Sequence, residues 1–255
     1  MNQKNADPKP VNVDANDGKG VGKNDSKDTA SVAEIKSRAR SKSAKPVKKE
    51  GKRKKTTQKR ADEVRSRILS AALECFGAHG FEGASTRTIA ELAGVTHTLV
   101  LYHFQSKDLL WVATVENVLS KYGKEIHENL NTNHEKTASS ALKKFIDQFV
   151  RFSARYPQIH RIFTTEGNQD TERLKWVIDH FLRDHFSLVI DIIRRGQSEG
   201  TIRQCDPARL YYLIIGVGGT PFTISTEYKE LTGRNVFSEA EILRNIAFIY
   251  EIVFG

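Results

Sequence analysis

From residue 61 to the end of the chain, apolar side chains recur at steps of three and four, the spacing that places them on one face of an α-helix. Val64, Ile68, Ala72, Cys75 and Phe76 predict a first helix over about 61 to 79, with Gly80 as its stop. Ser85 is an N-cap for a second helix of two turns, Thr86 to Ala93, which Gly94 closes. Thr96 offers another cap, and Thr98 to Phe104 is the third helix. Ser106 opens a long helix, Lys107 to about Asn131, whose Trp111, Val115, Val118, Tyr122 and Ile126 form one stripe. After the polar run NTNHEKTASS, helices are expected over 138 to 155, with Phe145, Phe149 and Phe152, and from Pro157 to about Thr165. The most regular stripe runs from Leu174 through Phe181, His185 and Ile192 and stops at Gly200. Pro207 to about Leu231, kinked between Gly218 and Pro221, and Ser238 to Phe254 complete the set. With no alternating strand pattern, the expected class is all-α: three helices up to Phe104, then six.

Composition narrows the function classes. The 255 residues are 38% hydrophobic and 28% charged, which excludes a collagen-like or wholly disordered polymer. No window reaches the ~18 apolar residues of a spanning helix, since Leu210 to Ile224 is broken by Gly216, Gly218, Gly219 and Pro221; no membrane partner is expected. MNQKNADPKPVNVD holds no apolar stretch, and Cys75 and Cys205 lie far apart, so a cytoplasmic protein without structural disulfides is expected.

Charge is distributed unevenly. Of 40 Lys plus Arg and 31 Asp plus Glu, residues 1 to 60 carry 18 and 7, a net +11, and the remaining 195 carry 22 and 24, a net −2. Lys45 to Arg60 has no aromatic residue, and Val47 is its one large apolar side chain, too little surface to offset chain ordering. Residues 1 to 60 are therefore expected to be a disordered tail, basic from Lys36. Lys52, Arg53, Lys54, Lys55, Lys59 and Arg60 would serve as an arm that releases counterions from DNA phosphates. A merely solubilising tail is the plainer alternative.

The chemistry-bearing segment is Ser85 to Lys107, STRTIAELAGVTHTLVLYHFQSK: helix, tight Gly-containing turn, helix. In such a unit the N-terminal residues of the second helix reach base edges in the major groove. Here those are Thr96, His97, Thr98 and Leu99: threonine hydroxyls donate or accept, His97 donates to an acceptor such as guanine N7, and Leu99 meets a thymine methyl. Tyr102, His103 and Lys107 are placed for phosphates, as are Ser85 and Arg87 on the preceding helix.

The run ILSAALECFGAHGFEGASTRTIAELAGVTHTLVLYHFQSKDLL, residues 68 to 110, resembles the DNA-binding domain of the TetR family of bacterial transcriptional regulators. The matching marks are Ala71-Ala72, Phe76, Gly80-Phe81, Ile89-Ala90, Ala93-Gly94-Val95, Tyr102-His103-Phe104 and Ser106 to Leu109. Leu99-Val100-Leu101 departs from the family, which often carries a small polar residue and then Leu-Tyr there. The resemblance implies a reader at 61 to 106, a helical effector-binding and dimerisation domain at 107 to 255, and repression of a palindromic site on double-stranded DNA by a homodimer.

The resemblance also implies an interface on the last two helices, with Tyr211, Ile214, Ile215, Ile242, Ile246, Ile249, Tyr250 and Val253, although the same stripes suit an intramolecular core. It further implies a cavity for a small, largely apolar effector near Trp111, Phe145, Phe149, Phe152, Phe163, Trp176, Phe181 and Phe186, with His160, Arg161, Glu166 and His180 as nearby polar groups that could orient it. Binding there would tilt helix 107 to 131 and misalign the two readers. The competing class is a DNA-compacting protein dominated by the basic arm, without an effector.

Enzyme chemistry finds little support. His180 and His185, five apart on a helix, face directions ~140° apart, and zinc needs the i, i+4 spacing plus a third ligand. GVGG at 216 to 219 has no preceding strand, and GKGVGKN at 18 to 24 has Asn where a phosphate loop needs Ser or Thr. No metal or cofactor is expected.

Overall fold

The computed structural model describes residues 51–130 and 137–255, with side chains from 58 to 123 and from 137 onward. The expected tail over 1–50 and most of the polar break at 131–140 lie outside the described residues. Among the described residues every regular element is a helix, and none is long and apolar enough to cross a membrane.

The chain order is α1 (Gly51–Gly83), α2 (Thr86–Leu92), α3 (His97–Phe104), α4 (Lys107–Leu130), α5 (Ala138–Arg155), α6 (Pro157–Glu166) and α7 (Glu172–Val177). A π-helical turn (Ile178–Leu182) leads into α8 (Arg183–Ser198), followed by α9 (Pro207–Thr223), α10 (Ser225–Thr232) and α11 (Glu239–Phe254). Helix α1 starts ten residues before the predicted position. Residues 51–60, expected to be disordered for want of apolar surface, are instead a helical extension of a segment anchored by Ile68, Ala72, Cys75 and Phe76. Propagating an existing helix adds a hydrogen bond per residue without a new nucleus. Regular α1 geometry stops at Gly80, φ +67°.

Local chemistry sets the other ends. Ser85, Thr96, Thr137, Thr171, Asp206 and Ser238 each accept a backbone N–H in the first turn of the helix that follows. Gly94 takes φ +62° in the tight turn between α2 and α3, a conformation that a side chain would strain. The kink expected at 218–221 is displaced: α9 runs through Pro221 and breaks at Ile224. Pro221 has no N–H for the Val217 carbonyl, and Asn245 Nδ2 of α11 donates to that oxygen instead at 3.2 Å.

Two apolar clusters hold the elements together. One joins α1, α2, α3 and the first half of α4 to Ile159 and Ile162 of α6 and to Trp176 of α7. The other joins α5, α8, α9 and α11. Because α1 packs on both α4 and α6, the helix-turn-helix is seated directly on the larger helical body.

Candidate nucleic-acid interface and effector cavity

Helices α2 and α3 are locked by their caps and by one side-chain bridge. Ser85 Oγ accepts from the Thr88 amide at 3.0 Å, Thr96 Oγ1 accepts from the Leu99 amide at 3.3 Å, and Thr86 Oγ1 lies 2.9 Å from His97 Nε2. Val100 and Phe104 bury the inner face of α3, while Thr98 and Tyr102, four apart, project outward, Tyr102 with 79% of its surface exposed. Leu99 and His103 are half-buried, and the His103 ring meets Tyr102 edge-on at 5.4 Å. Ser85, Arg87 and Thr96 are exposed. Lys107 Nζ donates to the Glu82 carbonyl at 3.4 Å and lies 4.4 Å from the Phe81 ring centre, so part of its donor capacity is spent on the end of α1. On α1, Lys59 and Arg60 are exposed, and Lys52, Arg53, Lys54 and Lys55 belong to its helical extension.

In the helical body a cavity of about 1180 Å³ is bounded by α4, α5, α6, the π-helical turn, α8 and α9. Seven of the twelve expected residues line it, Phe149, Phe152, His160, Phe163, His180, Phe181 and Phe186, whereas Arg161 and Glu166 lie outside the lining. Trp111 and Phe145 are fully buried behind the wall, and Trp176 is buried against Trp111, the two rings edge-on at 6.3 Å. Sequence reasoning missed Tyr122, His185 and Tyr211 as lining residues. Phe181 and His185 were visible in the stripe from Leu174. Their register changes at the π turn, which widens the helix locally, so His180 and His185 share one wall despite a spacing that separates them on a regular α-helix.

The cavity is lined mostly by apolar side chains, and hydrogen bonds within the chain hold two of its histidines, His160 and His180. Burial lowers the pKa of both His160 and His185 to about 4, and burial, aided by Tyr212, pushes Tyr211 up to about 12. His160 Nε2 lies 2.8 Å from Ser153 Oγ, and its ring packs on the α9 backbone at Gly219, where a Cβ would come within 2.5 Å. Gly218 admits Phe149 in the same way. These two glycines therefore serve close approach inside the chain rather than between chains, and Gly216 alone of the three is exposed.

The expected interface residues divide likewise. Tyr211, Ile214, Ile242, Ile246, Ile249 and Val253 are buried within the chain, and Ile215 and Tyr250 are half-buried against the same core. The outward rows are Tyr212, Gly216 and Thr220 on α9 with Leu243, Ala247 and Phe248 on α11.

Between cavity and reader lies a buried ion pair that was not foreseen. Arg173, its side chain 13% exposed, donates from Nε to Glu166 Oε1 at 3.2 Å, and Thr171 Oγ1 donates to Glu166 Oε2 at 2.8 Å. The Arg173 guanidinium lies 3.6 Å from the Phe81 ring centre and 3.9 Å from carboxylate oxygens of Glu82 and Asp108. One side chain of α7 thus touches the end of α1 and the start of α4. Trp176, three residues on, packs its ring at a tilt on His180 and edge-on to Phe181 of the cavity wall.

A helix-turn-helix reader on a helical body with an apolar cavity defines a DNA-binding transcriptional regulator. Residues 68–114 match the model of the tetR family of bacterial regulatory proteins, and residues 139–253 match a tetracyclin repressor-like C-terminal domain. The chain is 29% identical over 206 residues to the transcriptional regulator RutR of Escherichia coli, covering 78% of this chain and 94% of RutR. It is 32% identical over 156 residues to the transcriptional repressor AcnR of Corynebacterium efficiens, covering 59% of this chain and 75% of AcnR. Among solved structures it is similar to AibR in complex with isovaleryl coenzyme A and operator DNA, with a TM-score of 0.62 at 14% identity over 75% of this chain and 98% of that one. The chain belongs to the tetR family.

Proposed function

We propose that the protein is a homodimeric repressor that holds a two-fold DNA site and is released from it by a small, largely apolar effector. The observation that carries this reading is the continuous path from the cavity wall through Trp176 and Arg173 to Phe81 and Asp108 at the base of the reader. A ligand that displaces the π-helical turn moves α7, and α7 grips the first turn of α4. The solved complex of AibR with both an acyl coenzyme A and operator DNA supports the pairing of the two sites in one fold.

In this reading residues 61–106 are the reader and 107–255 the effector and dimerisation domain. Thr98 and Leu99 meet bases, while Ser85, Arg87, Thr96, Tyr102 and His103 meet phosphates or sugars. Lys59 and Arg60, with the extension from Lys52 to Lys55, supply sequence-independent attraction. The outward rows of α9 and α11 meet a second copy, setting two readers ~34 Å apart. The protein performs no catalytic step and resides on the nucleoid in the cytoplasm.

Selection of bound duplexes from a random library tests the reading. A two-fold consensus protected by a dimer is expected. Binding that ignores sequence and scales only with the basic extension would favour a DNA-compacting role instead.

A further inference from the structure

Hydrogen bonds within the chain orient two histidines of the cavity wall, His160 and His180. Ser153 has one proton and gives it to the Phe149 carbonyl at 2.7 Å, so its oxygen accepts from His160 Nε2 at 2.8 Å. Burial keeps His160 neutral, and a neutral imidazole that donates from Nε2 carries its lone pair on Nδ1. Any hydrogen bond between His160 and an occupant of the cavity is therefore one that His160 accepts. His180 Nδ1 donates to the Trp176 carbonyl at 2.8 Å, so that nitrogen is already engaged within the chain. His185 does not compete, because its Nε2 is inaccessible and without a hydrogen-bond partner among the described residues.

The charges on the wall disfavour an anion. Among the described lining residues Arg183 is the one Lys or Arg; its Nη2 engages Asp179 Oδ1 at 2.8 Å, and Asp184 stands next to it. A carboxylate entering here would lose its hydration without gaining an unpaired Lys or Arg and would face the His160 lone pair. Aromatic faces from Phe149, Phe152, Phe163, Phe181 and Phe186 surround the same space and suit a planar ring.

We infer that the cavity takes an uncharged, ring-bearing molecule that donates a hydroxyl or N–H hydrogen bond to His160. The inference rests on reading this cavity as the effector site, and it names the ligand class that the site selects.

The test is calorimetric titration of the full chain with three probes of one shape: 2-naphthol, which donates; 2-methoxynaphthalene, which keeps the oxygen but has no donor; and 2-naphthoate, an anion. The expected order is 2-naphthol tighter than its methyl ether by about five- to tenfold, with 2-naphthoate weaker than both. In His160→Phe the donor preference disappears while the methyl ether still binds, which also shows that the variant folds. Equal or tighter binding of 2-naphthoate, failure of 2-naphthol to bind, or a donor preference unchanged in His160→Phe overturns the inference. The effector reading is scored separately, on a DNA fragment recovered by random selection. If 2-naphthol binds in the expected order and the fragment stays bound, the ligand class stands and the effector reading fails.

Discussion

Thr86 Oγ1 and His97 Nε2, 2.9 Å apart, tie the first residue of α2 to the first residue of α3. The bridge fixes the angle at which α3 leaves the turn, and it occupies the imidazole nitrogen that the sequence offered to a base. Thr98, exposed and without such a tie, is the freer hydroxyl at the head of the helix. His97 is therefore expected to act on DNA chiefly by holding α3 in place.

Thr98→Ala is accordingly expected to weaken binding to a selected two-fold site by ~1 to 3 kcal/mol while leaving random DNA unaffected. His97→Ala and Thr86→Val should each weaken it less, and their double variant should lose no more than the larger single change, because both remove one interaction of ~1 kcal/mol. Fluorescence anisotropy on specific and scrambled duplexes checks this. Full additivity of the two changes would show that His97 reads DNA independently.

The reader was legible in the sequence because its determinants are local: Ser85 and Thr96 cap the helices that follow them, and Gly94 takes the positive φ of the turn. The cavity was legible only in part. Periodicity shows that Phe145 and Phe149 face inward, but not that Phe145 is sealed in the core while Phe149 reaches open space. A π-helical turn has no plain mark in a stripe of apolar residues, so Tyr122, His185 and Tyr211 could not be gathered onto one wall. Nor does sequence separation reveal the meeting of Arg173 with Phe81, 92 positions earlier in the chain. The outermost helices posed a related difficulty, since apolar faces on α9 and α11 serve the monomer core first and leave a neighbouring row outside.

The Glu166–Arg173 pair supplies the second prediction. Arg173→Gln leaves the Glu166 carboxylate buried with only Thr171 donating to it, a loss of ~3 to 5 kcal/mol in unfolding free energy. Glu166→Gln combined with Arg173→Gln restores part of that loss because no unpaired charge remains. Denaturant unfolding measures both. In the doubly substituted chain, ligand binding at the cavity should persist while its effect on DNA affinity shrinks; an undiminished ligand response would remove Arg173 from the coupling path.

Acid sensitivity follows from the cavity histidines. Burial lowers the pKa of His160 and His185 from 6.5 to about 4, so the unfolded chain binds more protons than the folded one between those values. Stability is fully present above pH ~7 and falls as the pH drops toward 4, by ~2 kcal/mol per histidine between pH 7 and 5. Urea titrations at the two pH values should show a smaller pH dependence in His160→Asn than in the parent chain. An identical slope would mean that His160 is not protonated on unfolding in this range.

The outward row of α9 and α11 carries the last prediction. Phe248 is 51% exposed, Leu243 49% and Tyr212 66%, and Gly216, one turn after Tyr212, has no atom within 4 Å of where a Cβ would stand. Exposed apolar side chains and an open glycine on two packed helices suit the close approach of a second pair across a two-fold axis. Phe248→Glu places a charge at that contact without disturbing Ile246 or Ile249, which face the monomer core. Sedimentation analysis of the variant is expected to give a monomer with an unchanged far-ultraviolet spectrum, and its affinity for a two-fold DNA site should fall to that for a half-site. A dimer that survives this change would assign the contact to another face of the body.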